Sequence, residues 1–295
     1  MRIAVIHEAP VPTTLSRQLL YAIMRRGHEA IYVRLSRLVP GIVNGEAVVL
    51  RSKSRRLEID GGIVRGIGIA NPPEEVSRRI GVLRILEESG TILVNPVQPT
   101  VLARDKLATT FLLARAGIPV PDTVVVNDPY EAHEIAKSWG KVVMKPMQGS
   151  MGYGARLVDD PDTAFIVAKV WTSLSMPVYI QKFMRDRPRD IRAFIVDGEF
   201  LGAIYRYAPE GDWKTNVSQG GRAVKAKVGA EVEELAVKAA EVLGLVYAGV
   251  DIGEVDDAYV VYEVNSVPSW AGFEVATGIN PADKIVGALL RRIRR

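Results

Sequence analysis

Residues 259–270 read YVVYEVNSVPSW. Tyr259, Val260, Val261, Tyr262 and Val264 have the make-up of a buried strand, yet Glu263 and Asn265 interrupt it. Successive strand residues point to opposite faces, so positions 263 and 265 share one. Upstream, AGVDIGEV (248–255) is a second apolar strand carrying Asp251, and Asp256-Asp257 between the two segments suits a tight turn. An antiparallel hairpin would bring Asp251, Glu263 and Asn265 together. Three hard oxygen donors on one face suit magnesium or manganese, completed by the phosphate oxygens of a nucleotide. The plainer alternative is an exposed polar face of an ordinary strand.

A second informative stretch is VVMKPMQGSMGYGARLV, residues 142–158. An apolar strand delivers Lys145, and a loop with Gly149, Ser150, Gly152 and Gly154 follows. Glycine lets backbone N–H groups approach phosphate oxygens closely, and a neighbouring lysine adds a compact positive charge. The spacing fits neither a Walker loop nor a kinase loop, and a surface hairpin would read similarly.

Composition narrows the chemistry. The 295 residues contain no cysteine, which excludes disulfides, thiolate metal sites and thiol catalysis, and fits a cytoplasmic protein. The three histidines, His7, His28 and His133, are scattered, so any metal would be held by oxygen. No apolar run reaches the roughly 18 residues of a membrane span. The opening MRIAVIHEAP has only a four-residue apolar core before His7 and Glu8, and reads as a first strand rather than a signal peptide. Net charge is +4. The basic clusters Arg51, Lys53, Arg55, Arg56 and Arg291, Arg292, Arg294, Arg295 suit solvated faces or attraction of a polyanion. No nucleic-acid motif accompanies them.

The chain opens with a strand, a helix over Leu15–Arg26 stopped by Gly27, and a second strand EAIYVRL, implying a parallel sheet. The loop after the first strand lacks G-x-G-x-x-G, which disfavours a dinucleotide fold. Turns are expected at Asn44-Gly45 and Asp60-Gly61. Helices are expected near 74–88, 105–116, 129–138, 230–243 and 281–294. TILVNP, VVVN, VVMKP, PVYIQKF and DIRAFIVDGEFLGAIYRYA read as strands, the last broken by a turn at Asp197-Gly198. Units are expected at 1–95, 96–184 and 185–295.

In order along the chain, RDKLATTFLLARAGIPVPDT (104–123), MKPMQGSMGYGA (144–155), YIQKFM (179–184), DIRAFIVDGE (190–199), EGDWKTNVSQGG (210–221), AGVDI (248–252) and YEVNSVPSWAGFEVATGIN (262–280) occur. This series resembles the ATP-grasp superfamily, and within it the RimK-type α-L-glutamate ligases, over about 95–285. The resemblance implies an α/β fold with an N-terminal parallel-sheet domain and two subdomains clamping ATP. It places Lys106 and Lys145 on the nucleotide phosphates under the loop Gly149, Ser150, Gly152 and Gly154. It places Lys182 and Phe183 at the adenine and Asp190 near the ribose. Lys214, Thr215 and Asn216 would close over the triphosphate. Asp251, Glu263 and Asn265 would hold two magnesium or manganese ions. Arg192 and Arg206, with Lys145, are the candidates for steadying an acyl phosphate or acceptor carboxylate. Position 182 departs from the family, where Glu is usual.

The implied reaction forms an amide through an acyl phosphate. The amino acid would be L-glutamate and the acceptor a carboxylate on a coenzyme or protein tail, with no nucleic acid and no membrane involved. Relatives imply a homo-oligomer. Alternatives are a carrier-protein-dependent ligase of lysine/arginine biosynthesis and an ATP-binding protein without turnover.

Overall fold

The computed structural model describes residues 1–51, 55–68, 72–147, 152–185 and 187–294. The chain begins with β1 (Arg2–His7), α1 (Thr14–Arg25) and β2 (Glu29–Arg34). A small antiparallel sheet follows, made of β3 (Val39–Val43), β4 (Glu46–Arg51) and β5 (Arg55–Arg56). Then come β6 (Gly61–Val64), α2 (Pro73–Glu88) and β7 (Ile92–Val94). The first main sheet is parallel, in the order β2-β1-β6-β7. Period-two alternation divides β1 between two cores: Ile3 and Val5 pack under α1, whereas Ala4 and Ile6 pack with α2.

The expected turn at Asn44-Gly45 joins β3 to β4, and both residues have positive φ, 53° and 81°. The expected turn at Asp60-Gly61 is not a hairpin. Gly61 opens a strand parallel to β1, while the Asp60 carboxylate accepts a hydrogen bond from the Arg2 backbone N–H at 2.6 Å. That carboxylate pins a crossover between two sheets, a use of Asp-Gly that local sequence does not reveal.

Two short helices, α3 (Val97–Leu102) and α4 (Lys106–Arg115), lead to the second main sheet. It contains β8 (Thr123–Val126), α5 (Pro129–Trp139), β9 (Val142–Pro146), β10 (Arg156–Val158), α6 (Pro161–Ser173) and β11 (Val178–Lys182). Its order is β10-β9-β11-β8, all pairs antiparallel. Val142, Met144, Val178 and Ile180 turn to a core under α5 and α6 that also packs Trp139 and Trp171. The opposite parity, Lys145, Tyr179 and Gln181, is left for the other face. Asp160 caps α6 by accepting from the Thr163 N–H at 2.7 Å, a start signal present in the sequence as Asp-Pro.

The third main sheet has five antiparallel strands in the order β14-β13-β12-β15-β16. These are β12 (Arg189–Val196), β13 (Glu199–Tyr207), β14 (Arg222–Lys225), β15 (Tyr247–Val255) and β16 (Ala258–Asn265). One face packs on α7 (Ala230–Val242) through Ile191, Ala193, Ile195, Ala248, Val250 and Ile252. The chain finishes with α8 (Ala271–Thr277) and α9 (Ala282–Ile293). Helix α9 returns to the first sheet, where Ile285, Leu289 and Leu290 share a core with Ile3, Leu19, Ile63 and Phe194.

One side chain ties the first sheet to the third. Asn95, 1% exposed at the end of β7, donates to the carbonyls of Tyr247 (2.8 Å) and Ser266 (2.7 Å). Its Oδ1 accepts from the N–H groups of Val246 (2.7 Å) and Tyr247 (2.9 Å). Truncating it would orphan four buried backbone groups at once. Asn95→Ala is expected to lower unfolding stability by on the order of 3–5 kcal/mol. Denaturant titration at constant m-value would check it.

Candidate functional site

The polar faces of the second and third sheets look at one another across a cleft of about 940 Å³. Its walls come from all three sheets and include His7, Arg65, Lys145, Asp190, Asp251 and Glu263. No described helix is long and apolar enough to cross a membrane.

On the third sheet, cross-strand register sets the geometry. Arg206 lies opposite Asp190, Arg192 opposite Asp251, and Asp251 opposite Glu263. Both oxygens of Asp190 accept from Arg206, at 2.7 and 2.6 Å, and one also accepts from the Thr215 hydroxyl at 2.6 Å. Arg192 grips Asp251 through Nε and through Nη2 at 2.8 Å, and Arg206 reaches the same carboxylate at 3.0 Å. Two guanidinium groups beside Asp251 hold its pKa below the usual carboxylate value despite burial. The carboxylates of Asp190 and Asp251 in turn raise Arg206 further above its already high value.

The expected hairpin forms, with Asp256 and Asp257 at φ 47° and 60° in its turn. Strand β16 carries one extra residue, Tyr262, between the pairs Asp251–Glu263 and Ile252–Val261. This bulge turns Glu263 and Asn265 to the cleft while Val261 and Val264 stay in the core. The Tyr262 hydroxyl fixes the bulge by donating to the Met184 carbonyl. Gly249 faces the same way as Asp251's neighbours in β12: a Cβ there would lie 2.8 Å from Pro268 and 3.2 Å from Arg192, so glycine lets Arg192 lie flat on the sheet.

Across the cleft, the Lys145 ammonium donates to Gln181 Oε1 at 2.8 Å and stands over the Tyr179 ring. Gln181 is itself held by Tyr179 and Thr123, and Tyr179 by Thr110. Lys106, at the start of α4, donates to the Met147 carbonyl at 3.3 Å. Burial lowers the pKa of both lysines, and Glu263 opposes that shift in each. Two ammonium groups thus lean on one carboxylate that forms no ion pair of its own among the described residues.

Of the glycine loop, Gly149 and Ser150 lie outside the described residues. Gly152 and Gly154 adopt positive φ, 74° and 81°. A Cβ on Gly152 would stand 2.6 Å from Asn216 Oδ1 and 3.0 Å from Gln219 Nε2, so this loop meets the segment carrying Lys214, Thr215 and Asn216. Lys182 is half-exposed and its ammonium turns to Asp122, 3.9 Å away, while its backbone N–H donates to the Asp122 carbonyl. The Phe183 ring packs edge-on against Trp213, centroids 6.4 Å apart, at the cleft rim.

All the described candidates except Gly154 therefore line one cleft, and Gly154 lies in the same loop as Gly152. Sequence reading missed Gln181, Tyr179 and Trp213. The alternation Tyr179–Gln181 in an otherwise apolar strand was the available signal for the first two; Trp213 stood in plain view between Asp212 and Lys214.

Among the described residues no three carboxylate, imidazole or thiolate groups converge on a metal position. A cation here would have two carboxylates, Asp251 and Glu263, and the amide of Asn265. A cation would take that amide's oxygen, while its nitrogen, buried without a hydrogen-bond partner among the described residues, is a donor left for a ligand's acceptor oxygen. Few protein oxygens and room for others fit magnesium, which keeps water or phosphate in its shell.

A family model, the RimK-like ATP-grasp domain, matches residues 103–289. The tetrahydromethanopterin:alpha-L-glutamate ligase of Methanosarcina acetivorans is 37% identical over 258 residues, 78% of this chain and 79% of that protein. A probable alpha-L-glutamate ligase of Teredinibacter turnerae is 31% identical over 297 residues, 100% of this chain and 97% of that protein. Among solved structures, the ATP-grasp ligase PsnB complexed with minimal precursor, Mg and ADP superposes with a TM-score of 0.74 at 21% identity, covering 99% of this chain and 98% of that one. The chain belongs to the RimK-like ATP-grasp family and has the ATP-grasp fold.

Gly152→Ala would impose a strained φ and push the two cleft loops apart. Nucleotide affinity is expected to fall about tenfold, or about 1.4 kcal/mol, with folding retained. Calorimetric titration with a non-hydrolysable ATP analogue reads this directly.

Proposed function

We propose that the protein is an ATP-dependent carboxylate–amine ligase that adds L-glutamate to a carboxylate on a coenzyme or a protein tail. One observation carries the reading: two lysines and three oxygen donors face each other across a cleft between two sheets, in a chain whose curated relatives are named alpha-L-glutamate ligases.

In this reading the acceptor's carboxylate oxygen attacks the γ-phosphorus of ATP. A new P–O bond forms, the bond to the β-phosphate oxygen breaks, and ADP leaves. The amino group of glutamate then attacks the acyl carbon; phosphate departs and the nitrogen loses a proton. Lys145 and Lys106 neutralise the phosphate oxygens, and their pKa, lowered by burial in the free protein, would rise again beside that charge. Gly152 and Gly154 would cover the phosphates from one side. Lys214, Thr215 and Asn216 cover them from the other, excluding water from the acyl phosphate.

Asp251, Glu263 and Asn265 would hold two magnesium ions, which supply charge neutralisation on the transferred group. Adenine would lie against Phe183 and the backbone at Lys182, whose side chain is turned aside to Asp122. Asp190, tied to Thr215, connects the ribose side to the closing segment. Arg192 is the guanidinium proposed to steady the acyl phosphate. Arg206, 5% exposed and bound to two carboxylates, adds charge and orients Asp190 and Asp251.

The test is phosphate release from ATP and magnesium with each of the twenty amino acids and an extracted pool of metabolites and acidic proteins. Only L-glutamate plus one acceptor fraction should support release. Glu263→Ala should reduce it by about 10²–10³-fold, the usual effect of losing a charge-stabilising group. Nucleotide binding without release under every combination would overturn the reading.

A further inference from the structure

Where the first sheet borders the cleft lies a buried charge that no carboxylate among the described residues neutralises. Arg65 follows β6 and is 7% exposed. Among the described residues it has no carboxylate partner. Its guanidinium donates to the Pro268 carbonyl at 3.2 Å and to the Tyr247 hydroxyl at 3.5 Å, and its Nε has no partner. It lies over the Trp270 ring, 4.4 Å from the centroid, and Trp270 is clamped by its indole N–H to Gln18 at 2.7 Å. The group is held rigidly, with donors left over.

Charges this deeply buried are normally paired, because an unpaired one bears its full desolvation cost. The nearby carboxylate does not serve: Glu8 turns to Arg34, Arg79 and the Ser36 N–H. Arg104, between α3 and α4 and two residues before Lys106, also lines the cleft; its guanidinium donates to the Gly68 carbonyl at 3.1 Å and lacks a carboxylate partner among the described residues. His7 lines it too, with its Nδ1 3.3 Å from the Ser16 hydroxyl. On the third sheet, by contrast, Arg192, Arg206 and Arg189 each have their own carboxylate. Where the first sheet meets the cleft, Arg65 is thus a buried guanidinium without a carboxylate partner among the described residues, whereas the third-sheet arginines are paired.

We propose that Arg65, supported by Arg104, docks a substrate carboxylate that does not react, and so selects dicarboxylic over neutral substrates. The proposal rests on the ligase reading for its setting, since joining glutamate to an acid brings in carboxylates that stay charged throughout. Such a group would be desolvated when the cleft closes and would need this cation. It belongs either to the incoming amino acid or to the acceptor.

Binding of L-glutamate and of glutarate is measured by calorimetry on the whole protein saturated with a non-hydrolysable ATP analogue and magnesium. Wild type is compared with Arg65→Gln, Arg65→Lys and Arg104→Gln. At least one dicarboxylate is expected to bind at least tenfold more weakly to Arg65→Gln, with partial recovery in Arg65→Lys and unchanged nucleotide affinity. Weaker L-glutamate binding assigns the carboxylate to the amino acid. Unchanged L-glutamate binding with a tenfold higher KM for the acceptor fraction assigns it to the acceptor. Equal affinities and KM values in wild type and Arg65→Gln, or no dicarboxylate binding to wild type, overturn the proposal. So does a joint loss of nucleotide and dicarboxylate binding that lysine does not rescue, because that marks a purely structural arginine. Failure of the ligase reading shows separately, as wild type that binds nucleotide without glutamate-dependent phosphate release.

Discussion

The buried ion network across β13, β12 and β15 is the constraint around which the cleft is arranged. Asp190, Arg206, Asp251 and Arg192 are each too deeply placed to be solvated individually, so each depends on its neighbours. Removing one partner from such a set typically costs about 3–5 kcal/mol, because the remaining charge is stranded. Antiparallel register is what makes mutual satisfaction possible. It sets Arg206 against Asp190 and Arg192 against Asp251, and it needs the small Gly249 so that Arg192 can lie along the sheet. Balanced internally, the network leaves Glu263 as the carboxylate facing Lys106 and Lys145. Four cations then meet three carboxylates, a slight positive excess suited to polyphosphate.

The network also explains why so much of the site is built from strands. A strand fixes side-chain direction through its hydrogen-bonded neighbours, whereas a loop would let a guanidinium wander by more than a bond length. The segments around Gly152 and around Asn216, which lie outside strands, meet each other over the cleft.

Much of this was legible in the residues themselves. The hairpin of β15 and β16 announced itself by alternation and by two turn-forming aspartates. The helices α1, α2, α4, α5, α7 and α9 were legible along the chain, with side-chain N-caps at Thr13, Asp105 and Asp128 for three of them. Helix α6 was harder, since Ile166, Val167 and Val170 crowd it with β-branched residues and only Asp160-Pro161 marks its start. The bulge at Tyr262 left no trace in the local sequence; the Tyr262 hydroxyl bonds to the Met184 carbonyl, 78 residues away in the chain. Asn95 and Arg65 were equally silent. Their side-chain partners on the third-sheet side begin at position 246, and an isolated asparagine or arginine after a short strand resembles any surface residue. Local chemistry is written locally, but burial of a polar group is a property of the assembled layers.

Helix α9 has a consequence for the order in which the molecule can be completed. The face of the first sheet that carries Ile3, Val5 and Ile63 is covered by α1 together with Ile285, Leu289 and Leu290. During synthesis, β1, β2, β6 and β7 emerge from the ribosome long before residues 282–293 do. The first sheet must therefore wait, with an apolar surface half-covered, for a helix translated well after it. Domains usually close one after another from the N-terminus as they are made. Here the first sheet is sealed only after α9 has been made, so its folding is coupled to that of the residues translated in between.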